Sequence, residues 1–193
     1  MNKIIGILGM QGAIAEHQEI LIQIPHIKTR IVKTAKDLDC IDGLILPGGE
    51  STAIGKLLDY FSLKEILQQK IISGLPVFGT CAGLILLAKN IENETNTHLA
   101  TMDITVKRNG YGSQLNSFST NLLIPTIDKN MSIPLVFIRA PYITKTSKDV
   151  QILATLDNKI IAARQKNMLV SSFHPELTND LRFHQYFLSM IYN

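Results

Sequence analysis

The first half of this chain repeats one unit: a short apolar run that stops at glycine or proline, then a segment whose apolar residues recur on helical spacing. Strands are predicted near Lys3–Leu8, Thr29–Val32, Gly43–Leu46 and Pro76–Phe78, with helices between them. After the first run, Ile14, His17, Gln18 and Leu21 fall on helical spacing. Such alternation leaves few solutions, because parallel neighbours need a crossover long enough to hold a helix, and the result is a parallel sheet wrapped by helices. Ser62-Leu63-Lys64-Glu65 reads as a capping box that opens a helix ending at Ile72, with Gly74 and Pro76 stopping it.

The second half changes character. Strand-like segments crowd together at Asp103–Lys107, Phe118–Ile124, Leu135–Ile138, Gln151–Leu156, Lys159–Arg164 and Met168–Phe173. Asp157-Asn158 reads as a tight hairpin turn, so some of these strands pair antiparallel at an edge of the sheet. A last helix, Asn179–Tyr192, offers Leu181, Phe187, Leu188 and Ile191 to the core. With no linker or repeat, residues 1–193 are expected to form one α/β domain: a three-layer, parallel-rich sheet flanked by helices, with antiparallel edge strands. A chain of 193 residues is long enough to bury about 70% of its unfolded surface.

Composition excludes several classes of function. The formal charge of +3 is small, and no Lys/Arg run interleaves with aromatics, so nucleic acid is not an expected partner. The longest apolar segment, Gly74–Ala88, is shorter than the roughly 20 residues a bilayer demands and contains Pro76. Lys3 and the run Ile4–Met10 superficially resemble a signal peptide, but Gly6, Gly9 and Gly12 punctuate the run and a helix follows, as in a first βα unit. The same glycine spacing differs from the dinucleotide fingerprint, which argues against a nicotinamide site. Two cysteines, Cys40 and Cys81, argue against a disulfide framework and for a reducing, cytoplasmic compartment. Cys40 lies in a connection, with neither elbow nor base, and reads as inert.

Cys81 is different. It stands where a short strand breaks through Gly79 and Thr80 into a helix beginning near Ala82. The pattern Gly79-x-Cys81-x-Gly83 repeats the G-x-S-x-G elbow with sulfur for oxygen. A helix N-terminus favours the thiolate, which is the nucleophilic form. By itself such a cysteine more often serves as a small buried hydrophobe.

A base is needed. Of the five histidines, His17 and His184 lie in amphipathic helical stretches and His26 and His98 in polar connections, while His174 ends an apolar run and precedes Pro175. Glu176 follows two residues later, and on an extended chain it shares a face with His174 and can orient the imidazole. Cys81, His174 and Glu176 together have the logic of a triad. Pro47-Gly48-Gly49, after a buried strand, exposes backbone N–H groups; with the N–H of Ala82 these are candidate oxyanion donors. Taken alone, Pro-Gly-Gly is most often just a turn.

Three segments carry a resemblance: Pro47-Gly48-Gly49-Glu50-Ser51-Thr52, Phe78-Gly79-Thr80-Cys81-Ala82-Gly83-Leu84 and Ser172-Phe173-His174-Pro175-Glu176-Leu177. They resemble the class I (triad) glutamine amidotransferases. Arg108-Asn109-Gly110-Tyr111-Gly112-Ser113-Gln114, Phe137-Ile138-Arg139-Ala140-Pro141 and Gly6-Ile7-Leu8-Gly9-Met10-Gln11-Gly12 narrow the likeness to the glutaminase subunits of pyridoxal 5′-phosphate synthase. The resemblance implies hydrolysis of L-glutamine to glutamate and ammonia, with ammonia passed to a separate barrel-shaped synthase subunit. It implies that Gly49, Glu50 and Ser51 line the glutamine site and that Arg108, Ile138 and Arg139 contact the amino-acid end of the substrate. It also implies Gly49 and Ala82 as the oxyanion hole, Gln11 as a partner contact, and no cofactor or metal. The family's Arg-Asn segment more often continues Gly-Arg-Gln, whereas here it continues Gly112-Ser113-Gln114. Low activity is expected until the partner sets the Gly48-Gly49 backbone, where glycine eases a peptide flip. Two other readings remain open: a triad glutaminase feeding a different synthase, and a non-catalytic glutamine-binding regulatory subunit.

Overall fold

The apolar runs of the first half become the centre of a sheet. The computed structural model describes residues 2–110 and 117–192. Its βα half comprises β1 (Lys3–Leu8), α1 (Ile14–Leu21), β2 (Ile27–Val32), β3 (Gly43–Leu46), α2 (Ser51–Tyr60), α3 (Lys64–Ile72), β4 (Val77–Thr80) and α4 (Ala82–Leu87). The strand-rich half comprises β5 (Ala88–Ile91), β6 (Met102–Lys107), β7 (Ser117–Leu122), β8 (Ile133–Ile138), β9 (Tyr142–Thr146), β10 (Gln151–Leu156), β11 (Lys159–Gln165), β12 (Met168–Ser171) and α5 (Arg182–Tyr192).

Among the described residues, one sheet runs β2-β1-β3-β4-β12-β11-β9-β6-β5, with β10 paired to β11. Strands β2, β1, β3, β4 and β12 are mutually parallel, and the turn at Asp157 and Asn158, both at positive φ, makes β10 and β11 an antiparallel hairpin. The central strands β3, β4 and β12 bury both faces, as their continuous apolar character requires, whereas the edge strand β2 alternates and exposes Lys28 and Arg30. Along β3, Leu44 and Leu46 join the core beneath α2, α3 and α4, while Ile45 joins the opposite core with Leu21 of α1, Phe183 and Phe187 of α5, and Leu135 and Phe137 of the β7–β8 hairpin.

The last strand of the sequence returns to the middle of the sheet. β12 lies beside β4 in register, Met168 opposite Val77 and Ser171 opposite Thr80. The ends of two strands far apart in sequence are thereby level, so Cys81 after β4 and the stretch to His174 after β12 emerge at one place.

The structure departs from the sequence reading at several elements. β5 and β9 were not anticipated: β5 follows α4 with no breaker between them, and β9 keeps only Ile143 buried within a polar alternation. The capping box at Ser62 is absent. Ser62 occupies the left-handed region (φ 54°) in the turn that closes α2, and α3 begins after Leu63 without a side-chain cap. A capping box does form at Thr34 and Asp37, at the head of a 3-10 turn. α5 starts at Arg182, so Leu181 lies outside it, and the strand read to Phe173 ends at Ser171. Tyr111, Gly112, Ser113 and Gln114 lie outside the described residues.

Packing at the β4–α4 junction leaves no room for side chains on its glycines. A Cβ on Gly83 would overlap the Leu46 carbonyl oxygen, which is fixed in β3. Gly83→Ala is therefore expected to cost about 2 kcal/mol through overpacking, lowering Tm by about 4–8 °C. An unchanged midpoint in thermal unfolding would show that the junction gives way freely.

Candidate active site

Cys81 sits at the turn from β4 into α4 with φ 47° and ψ −97°, a conformation that costs a non-glycine residue energy unless its surroundings impose it. They do so here. Its N–H donates to the Ser171 carbonyl at 2.8 Å, and a Cβ on Gly79 would lie 2.6 Å from the Gly83 carbonyl group, so the small residues on either side are what let the chain fold back this sharply. The side chain is nearly buried, with Sγ 4.0 Å from the Ile138 carbonyl oxygen.

His174 and Glu176 meet as expected, but by a different route. The chain is not extended after His174; Pro175–Leu177 form a single 3-10 turn, which proline favours at its first position. That turn swings the Glu176 carboxylate back onto the ring, with Nδ1–Oε1 at 2.7 Å. His174 is 7% exposed and Glu176 4%. Burial works against a charged His174, but its hydrogen bonds with Cys81 and Glu176 and the charges of both outweigh it, pushing the ring up to about 10. Burial likewise works against a charged Glu176, and the His17 and His174 rings overcome it and hold the carboxyl below its usual range.

A second group of polar side chains lies behind these three, all of it fully buried. His17 Nδ1 is 3.0 Å from His184 Nε2, and His17 Nε2 is 3.2 Å from the Thr80 hydroxyl and 3.6 Å from Glu176 Oε1. Thr80 in turn accepts the Gly48 N–H at 3.0 Å. Sequence reasoning passed over His17 and His184, although a signal existed: His17 falls on the helical spacing of Ile14 and Leu21, and His184 lies next to Phe183 and one turn before Phe187 and Leu188.

A cleft of about 540 Å³ opens in front of Cys81. Of the residues singled out from sequence, Gln11, Gly49, Glu50, Ser51, Cys81, Ala82, Arg108, Ile138, Arg139 and His174 line it; Glu176 supports it from behind. The Gly48 carbonyl accepts the Ala13 N–H at 2.9 Å, and the exposed Gln11 accepts the Glu50 N–H through Oε1 at 2.8 Å, so the turn after β1 grips the Gly48–Glu50 stretch twice. Glu50 also caps α2, accepting from the N–H groups of Thr52 and Ala53. Arg108 is more engaged than foreseen: it donates to the Ser51 hydroxyl and forms an ion pair with Glu94 at 2.6 Å, with His98 3.5 Å away. Neither Glu94 nor His98 carries a sequence signal that would have found it. Arg139 is exposed, at φ 43°. Among the described residues no cluster of His, Cys, Asp and Glu is arranged to hold a metal ion, and no helix is long and apolar enough to cross a membrane.

Residues 7–193 match the pattern of the SNO glutamine amidotransferase family. The chain belongs to that family. It is 54% identical over 189 residues to the pyridoxal 5′-phosphate synthase subunit PdxT of Ruminiclostridium cellulolyticum, covering 98% of this chain and 100% of that one. It is also 54% identical over 184 residues to the same subunit of Clostridium botulinum, covering 95% of each. A solved glutamine amidotransferase superposes with a TM-score of 0.91 at 38% identity over 98% of this chain and 99% of its own. A putative GMP synthase component from Thermoplasma acidophilum shares the fold, with a TM-score of 0.71 at 16% identity over 100% of this chain and 95% of its own.

The buried histidines make a pH prediction. Burial above all holds His17 and His184 neutral; the neighbouring His17 adds to the effect at His184, which falls to about 3. In the unfolded chain both take protons near 6.5. A depressed folded-state value means that their contribution to stability is complete above about pH 6.5 and is lost as pH falls towards 3, each ring supplying at most about 1.4 kcal/mol per pH unit. Denaturant midpoints measured from pH 7 to pH 5 are expected to fall in the wild type and to fall less steeply in His184→Phe; parallel slopes would contradict the assignment.

Proposed function

We propose that residues 1–193 act as one glutaminase domain, the ammonia-producing subunit of a pyridoxal 5′-phosphate synthase, working in the cytoplasm. The observation that carries this reading is the 2.7 Å contact between His174 and the buried Glu176 carboxylate, set beside a strained Cys81 at the floor of an amino-acid-sized cleft. The near relatives named as synthase subunits support the pathway, and the unpaired Cys40 and Cys81 support a reducing compartment.

In this reading the Cys81 thiolate attacks the side-chain amide carbon of L-glutamine. The tetrahedral oxyanion is held by the N–H groups of Gly49 and Ala82. His174, carrying the proton, gives it to the departing nitrogen, and ammonia leaves a glutamyl thioester on Cys81. His174 then takes a proton from water, which attacks the thioester, releases glutamate and restores the thiol. Glu176 keeps Nδ1 protonated, so that Nε2 performs both transfers. Arg108 and Arg139 receive the amino-acid end, aided by Ser51, Glu50 and Ile138. Arginine suits a carboxylate because its planar fork donates twice.

Ammonia goes to a separate synthase subunit that docks at the turn carrying Gln11. That turn holds the Gly48 carbonyl and the Glu50 N–H. A partner seated on it therefore acts on the peptide between Gly48 and Gly49, whose N–H is an oxyanion donor, and this explains why turnover by the isolated chain would be low. No cofactor or metal enters any step.

Glutamate release from L-glutamine, measured with the chain alone and with a pyridoxal 5′-phosphate synthase subunit, tests the reading. Turnover is expected to rise at least about 10-fold with the partner, the loss associated with a misplaced oxyanion donor being of order 100-fold or more, and to vanish in Cys81→Ala. Turnover indifferent to that partner would reassign the acceptor; binding of glutamine without turnover would make the chain a regulatory subunit.

A further inference from the structure

The buried polar groups behind Glu176 form a directed chain. Glu176 Oε1 accepts from His174 Nδ1 and offers only acceptors, so the His17 nitrogen facing it at 3.6 Å, Nε2, is favoured as an N–H. A neutral ring protonated at Nε2 has a lone pair at Nδ1, which accepts from His184 Nε2–H at 3.0 Å. His184 is then left with a lone pair at Nδ1. The structure agrees, for His184 Nδ1 is the ring nitrogen of this group that is buried with no hydrogen-bond partner. An unpartnered lone pair costs less than an unpartnered N–H, so both N–H bonds point from α5 through α1 towards Glu176.

His17 Nε2 faces two oxygens that serve opposite sides of the cleft. One is Glu176 Oε1, which orients His174. The other is the Thr80 hydroxyl, which accepts the Gly48 N–H and so anchors the Gly48–Gly49 stretch. Glu176 Oε2 has no hydrogen-bond partner, so among the described residues His17 is the only ring besides His174 that stands against the carboxylate. The charged and titratable groups facing His17 are Glu176 and His174 from the 3-10 turn, His184 from α5 and Glu16 from its own helix.

We propose that His17 is a positioning residue for the glutaminase reaction: its Nε2–H is hydrogen-bonded to Thr80, which holds the Gly48 amide, and its dipole stands 3.6 Å from Glu176, which orients His174, so that base and oxyanion strand are held in one register. The proposal rests on the glutaminase reading given above. His17 lies behind Glu176 and acts through its neighbours. His184 supplies the N–H that fixes the His17 tautomer.

Glutamine carries an N–H where histidine carries Nε2, so His17→Gln preserves the link and His17→Leu removes it. With the synthase subunit present, His17→Leu is expected to lower kcat about 10-fold with little change in KM. The pH midpoint for iodoacetamide alkylation of Cys81 is expected to move up by about 0.5 units or more, because a loosely held His174 pairs less well with the thiolate. His17→Gln is expected to recover most of both. Unchanged kcat and midpoint in a folded His17→Leu protein would overturn the proposal, as would equal losses in the two variants with an unshifted midpoint, which mark a packing role alone. If His17→Leu does not fold, Thr80→Val and Thr80→Ser read the same link: loss in the first and retention in the second support it, and equal behaviour overturns it. Alkylation needs no turnover, so a wild-type complex that releases no glutamate refutes the glutaminase reading while the His17 link is still decided by the midpoint.

Discussion

The pairing of β12 with β4 is the constraint on which the site depends. Four residue pairs in parallel register bring the last strand of the sheet beside the fourth, and the Ser171 carbonyl takes the Cys81 N–H just beyond the last pair. A slip of one residue would turn every side chain of β12 to the other face. Met168 and Val170 would then exchange cores with Leu169, all three being buried. The fit of these side chains into two different cores thus holds a register whose consequence lies outside the strands, where Cys81 and His174 are delivered to one place. Nothing in the cleft has to supply that alignment.

The same packing sustains the strain at Cys81. A φ of 47° on a residue with a side chain costs on the order of 1–3 kcal/mol, and the residues that hold it there are rigid. Gly79 and Gly83 lie against backbone atoms, and Leu84, Leu86 and Leu87 of α4 are fully buried between the sheet and its neighbours. Relaxing the turn would mean moving a strand or uncovering those leucines. The thiol is therefore presented at a fixed place, which suits a nucleophile that must meet a planar amide within a few tenths of an ångström.

Much of this was legible in the chain itself. Breakers after apolar runs marked β1, β3 and β4 closely, and Asp157-Asn158 marked its hairpin, because those signals are local. Cys81, His174 and Gly48-Gly49 were legible for the same reason: each follows a strand end, and strand ends at the carboxyl side of a parallel sheet converge. What escaped was set by tertiary contact. The Ser62 box failed because the chain needs a left-handed residue there to leave α2, and a side chain in that position cannot reach the next helix. Glu176 reached His174 through a 3-10 turn in place of an extended segment, since Pro175 starts such a turn as readily as it ends a strand. Arg108 reads in sequence only as a contact for the amino-acid end of the substrate, and in the fold it is also paired with Glu94 and Ser51, partners that no spacing rule connects.

The electrostatics of the site follow from the contrast between its two sides. Behind Glu176, His17 and His184 are fully buried, and burial above all keeps them neutral, helped at His184 by the neighbouring His17 and at His17 by His174. In front, His174 is nearly as well enclosed but touches a carboxylate and a thiol, and charge on either neighbour stabilises charge on the ring. Neutral rings at the rear matter for the front. A second cation beside Glu176 would compete with His174 for the carboxylate and weaken its hold on Nδ1, whereas a neutral N–H dipole stabilises the anion without neutralising it. The aromatic packing that keeps water from His17 and His184, with Phe78 5.8 Å from the His184 ring and 6.4 Å from the His17 ring between centroids, is thereby linked to the chemistry at Cys81. A core contact and a charge separation are the same structural fact seen from its two sides.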